Sequence, residues 1–174
     1  MPVESTAAWH VVDQSLEKLD PAAAIDFVSD PGFGGIALFV GRVRDLNLGR
    51  QVSGISYDMH EALVMKGFQQ HISEVRAEFG PRLKLYVAHA RGRLQVGDLA
   101  VVVAAGTPHR DEAFRACRSL IEAVKHRSPI WKQEHYLDGS SEWSEGCSLC
   151  ETSQQAPAAS GQVHPAQGDH CDQH

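Results

Sequence analysis

The stretch TPHRDEAFRACRSLIEAVKHRSPIWKQE, residues 107–134, decides the fold class, because it predicts a helix followed directly by a strand. Thr107 is a candidate N-cap, with Pro108 at the first helical position. A helical spacing of small and apolar residues then predicts the buried stripe, formed by Ala113, Cys117, Leu120, Ile121 and Val124. Because Pro129 disfavours helical backbone at the residue before it, we expect the helix over residues 108–127 and the strand over 130–136.

Basic side chains surround this helix and strand. His109 and Arg110 lie at the helix start, where unpaired backbone N–H groups and the helix dipole favour an anion. Lys125 lies beside the apolar stripe. Lys132 and Trp131 point to opposite faces of the strand, so Lys132 is free to point at a cleft if Trp131 packs inward. We therefore expect a pocket for an anionic substrate with an amine close to the chemistry. A surface ion pair for Arg110 and a solvated Lys125 are the alternatives.

The elements around this stretch occur in a mixed order of helices and strands, which indicates an α+β fold. Helices are expected over residues 21–28, with Asp20 as N-cap, and over 61–79, with Leu63, Phe68, Ile72, Val75 and Phe79 near one face. Strands are expected near residues 11–12 and over 35–43, 52–57, 83–90 and 99–105. Of these, 83–90 reads as half-buried and 99–105 as central. Residues 44–50 and 91–98 are expected to be connections.

A second group of cations ends the predicted strand 35–43. Strict alternation would place Arg42 and Arg44 on one face, beside Gly41, where the backbone can approach a ligand closely. This pattern is a candidate anion clamp, although a solvated strand edge has the same pattern.

Charge divides the chain into a body and a tail. Up to Lys132 there are 16 basic and 15 acidic residues, a net charge of +1, and after it seven acidic and no basic residues, a net charge of −7. We expect one domain over residues 1–146 and an acidic tail over 147–174. A nearly neutral body lacks the broad basic face that nucleic-acid binding requires. With no apolar run of membrane-spanning length and no signal peptide, the expected location is the cytoplasm.

The tail contains a C-x-x-C pair and further Cys and His residues, but almost no large apolar side chain. Such a composition predicts disorder in the absence of a ligand. Structural zinc is the weaker alternative, because the third ligand is distant and no core surrounds it. Its candidate ligands are Cys147, Cys150, Cys171 and His174. We expect no metal site and no cofactor.

Four segments of the body, in this order and spacing, together carry a family resemblance. They are Phe39-Val40-Gly41-Arg42-Val43-Arg44, His89-Ala90-Arg91-Gly92-Arg93-Leu94-Gln95-Val96-Gly97-Asp98, His109-Arg110-Asp111-Glu112-Ala113-Phe114, and Lys125 followed by Pro129-Ile130-Trp131-Lys132-Gln133-Glu134. From about Gly35 to Trp143 the chain resembles the large, catalytic subunits of molybdopterin synthase.

The resemblance implies an α/β hammerhead fold with an additional antiparallel β subdomain. It implies a homodimer flanked by two small ubiquitin-like sulfur carriers, as a heterotetramer. The implied reaction is sulfur transfer from the thiocarboxylated C-terminal Gly-Gly of the carrier to cyclic pyranopterin monophosphate, which forms the dithiolene of molybdopterin. The implied enzyme is therefore a sulfurtransferase of molybdenum cofactor biosynthesis.

Site residues follow from the positions that match the family's motifs. The resemblance implies Lys125 and Lys132 as catalytic residues. It implies a larger substrate-binding set that also includes these two lysines: Arg42, Val43, Arg44, His109, Arg110, Lys125, Lys132, Gln133 and Glu134.

One departure concerns the segment after Trp143, Ser144-Glu145-Gly146-Cys147, which lacks an arginine that some members use to complete the neighbouring subunit's site. Two other function classes compete with the enzyme. A scaffold that only docks the carrier would not need both lysines together with His109 and Arg110. A nucleotide- or nucleic-acid-binding module is disfavoured because the chain has no Gly-rich phosphate loop.

Overall fold

A computed structural model describes residues 3–4 and 6–144, and in this part of the chain nine strands and three helices form. In chain order they are β1 Val3–Glu4, β2 Ala7–Asp13, α1 Pro21–Val28, β3 Gly35–Arg42, β4 Leu46–Asn47, β5 Arg50–Met59, α2 Glu61–Phe79, β6 Lys84–Gln95, β7 Leu99–Thr107, α3 Arg110–Arg127, β8 Ile130–Tyr136 and β9 Ser141–Trp143. The predicted α+β class is confirmed.

The long strand β6 joins two parts of the sheet. Its first half pairs in parallel with β2 and antiparallel with β7, which in turn pairs with β3. Its last residues pair instead with β5, which continues through β8 to β9. The change of partner falls at Gly92, whose φ of 89° is open mainly to glycine. Lys132 and Glu134 lie on β8, between the antiparallel strands β5 and β9.

Two hydrophobic layers cover the two faces of the first part of the sheet. On one face α2 and α3 pack on the strands through Phe68, Ile72, Leu120 and Val124. On the other face α1 packs through Ala24 and Val28, in a cluster that reaches into the second part of the sheet. The central position predicted for β7 is confirmed, since it is paired on both sides and buried along almost its whole length.

Three expectations about the elements are wrong. Residues 91–98 are not all a connection, because β6 bends at Gly92 and continues to Gln95. The strand expected to be half-buried is covered on both faces, since helices lie on each side of the sheet. On α2 the core face includes Val64 rather than Leu63, which is 54% exposed.

The start of α3 also differs from the prediction. Thr107 is the last residue of β7 and pairs with Gly35, so it is not the N-cap of the helix. Its hydroxyl donates to the carbonyl of His109 at 2.7 Å. His109 is the N-cap, and its side chain makes no capping hydrogen bond. At α1, by contrast, the predicted cap is confirmed, because the Asp20 carboxylate accepts a hydrogen bond from the backbone N–H of Ala22 at 2.8 Å.

The boundary predicted at residue 147 and the zinc candidates Cys147, Cys150, Cys171 and His174 lie outside the described residues. Within residues 3–4 and 6–144, no helix is long and apolar enough to span a membrane.

Candidate active site

The start of α3 forms one half of the candidate site. His109 and Arg110 are both exposed, and with Gly34, Pro108, Asp111 and Phe114 they line an open surface pocket of about 440 Å³. The His109 side chain makes no capping hydrogen bond, so it satisfies none of the N–H groups that the first helical turn leaves unpaired. Such a helix start can bind a phosphate. His109 and Arg110 are called the helix-start pair below.

Two glycines let β3 begin directly against the helix-start pair. The Gly34 N–H donates to the Pro108 carbonyl at 3.1 Å. A Cβ added at Gly35 would lie 2.9 Å from the Arg110 Cα, closer than side chains normally approach. The sequence Gly34-Gly35 therefore fixes where the helix-start pair lies relative to the sheet.

The other end of β3 carries Arg42, Val43 and Arg44. The Arg42 guanidinium donates twice to the Gly97 carbonyl, from Nε at 3.1 Å and Nη2 at 3.0 Å. Val43 is buried, and its backbone pairs with Gly97 and Asp98. These contacts tie the strand end to the turn between β6 and β7.

Arg44 is exposed like Arg42, with the buried Val43 between them, as the predicted alternation requires; the register shift of β3 falls before both arginines. The Arg44 guanidinium donates from Nη2 to the Asn47 side-chain oxygen at 3.4 Å. The two guanidiniums thus contact different acceptors of the protein, the Gly97 carbonyl and the Asn47 side chain, and their expected role as a clamp for an anion stays a prediction.

A hydrogen-bonded network joins Arg44 to Lys132. The Asn47 amide donates from Nδ2 to Glu134 Oε2 at 2.5 Å, and Tyr136 donates to the same oxygen at 3.0 Å. Lys132 Nζ lies 2.8 Å from the other carboxylate oxygen, Oε1. Arg44, Asn47, Lys132, Glu134 and Tyr136 are called the strand-end network below.

Glu134 is only 3% exposed, so its charge depends on this network. Burial raises the pKa of the carboxyl, but hydrogen bonds from Lys132, Tyr136 and Asn47 and the charge of Lys132 outweigh it and lower the pKa below its usual value. The buried carboxylate in turn helps to raise the pKa of Tyr57 to about 12, although burial of that phenol is the larger cause. Glu134 is therefore a fixed negative charge that holds the Lys132 ammonium.

Lys125 and Gln133, the other two predicted residues, make contacts outside this network. The Lys125 side chain is exposed, and its Nζ lies 6.0 Å from the centre of the Phe39 ring, three residues before Arg42 on β3. Gln133 donates to the Ser141 hydroxyl at 3.1 Å. Trp131 is half exposed and does not pack inward; the more buried face of β8 is instead the one that carries Lys132 and Glu134.

One chain does not bring all the predicted residues together. The helix-start pair abuts Gly35, whereas the strand-end network follows Arg42, seven residues along β3, a separation of about 23 Å at 3.3 Å per residue. Lys125 lies fifteen residues beyond Arg110, about 22 Å along α3. Each chain therefore carries two half-sites at opposite ends of the same strand.

Asn47 and Tyr136 are the site residues that the sequence did not indicate. Asn47 precedes Leu48-Gly49, where asparagine is ordinary turn chemistry, and Tyr136 looks like a core residue of a strand. Among the described residues, no group of three His, Cys, Asp or Glu side chains could hold a metal ion.

A family model described as MoaE protein matches residues 14–127, more than half of the chain. The chain belongs to the MoaE family. A molybdopterin synthase catalytic subunit from Synechococcus elongatus is 43% identical to this MoaE-family chain, over 87% of this chain and 92% of the relative. Catalytic subunit 1 from Mycobacterium tuberculosis is 42% identical over 76% of this chain and 87% of the relative.

Solved structures show the same fold. The crystal structure of molybdopterin synthase from Staphylococcus aureus superposes with a TM-score of 0.72 and 27% identity, over 82% of this MoaE-family chain and 98% of that one. A complex of subunits 1 and 2 of molybdopterin-converting factor from Helicobacter pylori has a TM-score of 0.64, covering 79% and 90% of the two chains. At 23% identity, that likeness concerns the fold alone.

Proposed function

We propose that this protein transfers sulfur from the thiocarboxylated C-terminus of a small carrier subunit to cyclic pyranopterin monophosphate, forming the dithiolene of molybdopterin. Its family and relatives make it a molybdopterin synthase catalytic subunit, an enzyme of molybdenum cofactor biosynthesis. The sulfurtransferase step, the substrate and the thiocarboxylate are the proposal. The observation that carries it is the Lys132 ammonium held by a buried carboxylate beside the exposed Arg44.

This arrangement suits the chemistry of a thiocarboxylate and a cyclic phosphate, both of which are anions. The thiocarboxylate sulfur would form a bond to a side-chain carbon of the pterin as a C–O bond of that carbon breaks and the oxygen leaves with the electron pair; water would then hydrolyse the thioester, leaving the sulfur on the pterin and a carboxylate on the carrier. Lys132 can stabilise the negative charge that develops on the leaving oxygen, because Glu134 fixes the ammonium before the reaction starts. Arg44 and the helix-start pair can bind the phosphate with charge-assisted hydrogen bonds. Lys125, on the helix beside Phe39, is a second cation for the carrier's C-terminus.

The two half-sites are about 23 Å apart in one chain, so the proposal includes a homodimer that joins them. In the described part of the chain β3 pairs with β7 alone, so its other edge presents backbone N–H and C=O groups without a strand partner, and Ile36 and Leu38 of the same strand are exposed. An apolar, unpaired strand edge is a template for pairing with another chain. Antiparallel pairing of β3 with its copy would bring the helix-start pair of one subunit to the Arg44 end of the other.

The second partner that we propose is a small ubiquitin-like sulfur carrier ending in Gly-Gly. Support comes from the relatives' name, molybdopterin synthase catalytic subunit, which implies at least one further subunit. With two catalytic subunits and two carriers, the assembly would be a heterotetramer.

The decisive experiment mixes the purified protein with a thiocarboxylated carrier and the cyclic pterin, and detects the dithiolene product by mass spectrometry. We expect Lys132→Ala to lower the rate at least a hundredfold, since it removes a charge aimed at the reacting atoms, and Lys125→Ala to lower it less. Lys66→Ala, which removes an exposed lysine of α2, is the matched control and should retain full activity.

A wild-type protein that binds the carrier but forms no dithiolene would contradict the enzyme and favour the docking scaffold. Full activity in Lys132→Ala would remove that residue from the mechanism while leaving the reaction itself established.

A further inference from the structure

The Asn47 side chain bridges two charged groups of the candidate site, a feature that the proposed function does not use. Its oxygen accepts from the Arg44 guanidinium at 3.4 Å and its nitrogen donates to the Glu134 carboxylate at 2.5 Å. A guanidinium can only donate and a carboxylate can only accept, so the amide has one orientation that satisfies both. Aspartate or a hydroxyl could not reproduce this pair of bonds at the same distances.

The surrounding hairpin places Asn47 over β8. The strand β4 folds back on β5 through Leu48 and Gly49, with φ angles of 48° and 78°. A leucine at positive φ is strained, and Leu48 is 92% exposed, so packing of its own side chain does not explain the turn. What the turn achieves is the approach of Asn47 to Glu134, 87 residues away in the sequence.

The opposite side of the carboxylate is fixed by Tyr136. Its hydroxyl donates to Glu134 Oε2, and its ring is covered by the Arg50 guanidinium at 3.6 Å from the ring centre. Arg50 is in turn anchored to Asp138 and Glu142 of the β8–β9 hairpin. Both oxygens of the Glu134 carboxylate are therefore engaged, Oε1 by Lys132 and Oε2 by Asn47 and Tyr136.

We propose that Asn47 is a positioning residue that sets the distance between the Arg44 guanidinium and the Lys132 ammonium by holding Glu134 between them. Glu134, being buried and fully engaged, acts through Lys132 rather than by touching the substrate. The inference rests on the proposed function, because it assigns Arg44 to the phosphate and Lys132 to the sulfur-transfer step. The Asn47 side chain would keep Arg44 and Lys132 at the spacing needed to contact one substrate molecule at the same time.

The charged and titratable groups that face Glu134 define the pH dependence. They are Lys132 and Tyr136 on β8 and Tyr57 on β5, with Arg44 reaching it through Asn47. The Asn47 donor is one of the bonds that lower the pKa of Glu134 against the effect of burial. Without it, the pKa of the carboxyl rises, and protonation releases Lys132 at a higher pH.

The test compares Asn47→Ala, Asn47→Asp and Asn47→Gln in the complete dithiolene assay with carrier, as a function of pH. We expect Asn47→Ala to lower kcat by roughly ten- to a hundredfold, with a smaller change in KM, and to shift the acidic limb of the pH profile to higher pH. Asn47→Asp should be at least as impaired, because a second carboxylate then faces Glu134. Asn47→Gln, which keeps both polar atoms, should recover part of the activity.

Leu48→Gly is the matched control in the same hairpin, since it relieves the positive φ and touches none of the network. It should keep the wild-type pH profile. A purely structural role for Asn47 would lower thermal stability without moving the acidic limb, and that result would overturn the inference.

A second readout separates this inference from the proposed function. The titration of the Glu134 carboxyl carbon, followed by NMR in the protein alone, should move to higher pH in Asn47→Ala. An unmoved titration rules out the bridge even if wild-type protein makes the dithiolene. If the titration moves but the wild-type protein forms no dithiolene, the proposed function is wrong, and so is the role in sulfur transfer assigned to Asn47.

Discussion

His89 of β6 is buried, and it contacts Tyr57 of β5. Its Nδ1 lies 2.8 Å from the Ala90 carbonyl, and the Tyr57 ring meets its ring edge to face, 4.8 Å between centres. Because burial disfavours the imidazolium, the pKa of His89 falls from 6.5 to about 4. The ring is thus neutral in the folded protein at pH 7, and burying it lowers the free energy of unfolding only at acidic pH.

The sign of the resulting pH dependence follows from the lowered pKa. As the pH falls below 6.5 the unfolded chain takes up a proton that folded His89 refuses, so stability present at neutral pH is lost toward pH 4. Between about pH 7 and pH 5 the loss is about 2 kcal/mol. In His89→Gln the glutamine can still donate to the Ala90 carbonyl but does not titrate. Between the same two pH values we therefore expect the free energy of unfolding of the variant to fall by about 2 kcal/mol less than that of the wild type.

Urea denaturation of both proteins at the two pH values measures this difference. The remaining histidines are present in both proteins, so their contributions cancel in the comparison. Parallel loss of stability in the two proteins would show that His89 is protonated when folded.

Single residues of the site were predictable to different degrees. Lys132 and Glu134 were indicated by a family motif, and their ion pair in the structure is consistent with a shared role. Asn47 could not be found, because its importance comes from a contact with a strand 87 residues away, and an asparagine before Leu-Gly looks like an ordinary turn residue.

Among the elements, those whose ends are set by local chemistry were predicted best. The bounds of α2 and β8 match the structure, since Gly80 ends the helix and Pro129 separates α3 from the strand. The full length of β6 was not predicted, because Gly92 and the charged residues beside it resemble a turn. Only the change of pairing partner, which is a tertiary event, makes that bend part of a strand.

The contact between the start of β3 and the start of α3 leads to a prediction at this scale. In Gly35→Ala the new methyl would meet the Arg110 backbone at 2.9 Å, and backbone cannot move aside as a flexible side chain can. We expect a loss of about 1–3 kcal/mol in the free energy of unfolding. Because Arg110 must shift, affinity for the pterin phosphate should fall as well, measured by titration calorimetry.

Gly32→Ala is the matched control, since its methyl would meet only the Asp30 carboxylate at 3.3 Å. It should leave both stability and affinity near wild type. If Gly35→Ala lost stability but bound substrate normally, the helix-start pair would not be the phosphate site.

For the whole molecule, the arrangement of the half-sites decides what a functional unit is. β3 separates the helix-start pair from the strand-end network by its own length, and α3 runs alongside it, so no side-chain rotation in one chain can close the gap. The antiparallel pairing proposed for β3 with its copy has a two-fold axis. Each helix-start pair would then meet the strand-end network of the other subunit, which gives two equivalent sites per dimer.

Subunit complementation tests this arrangement directly. In Arg110→Ala the helix-start half is defective, and in Lys132→Ala the strand-end half is defective, so each homodimer should have little activity. A mixed dimer would combine the intact Lys132 of one chain with the intact Arg110 of the other in one site, and both defects would fall in the second site. Random exchange of equal amounts should therefore restore about a quarter of wild-type activity.

Co-expression with two different affinity tags isolates the mixed dimer, whose activity should be about half that of the wild-type dimer. The control pairs Lys66→Ala with Lys132→Ala, where the mixed dimer has one functional site whether or not the site is shared. If both halves of a site came from the same chain, the Arg110→Ala and Lys132→Ala mixture would stay inactive while the control recovered. That combination of results would exclude a site completed across the two-fold axis, because every mixed dimer would then carry one defect in each of its sites.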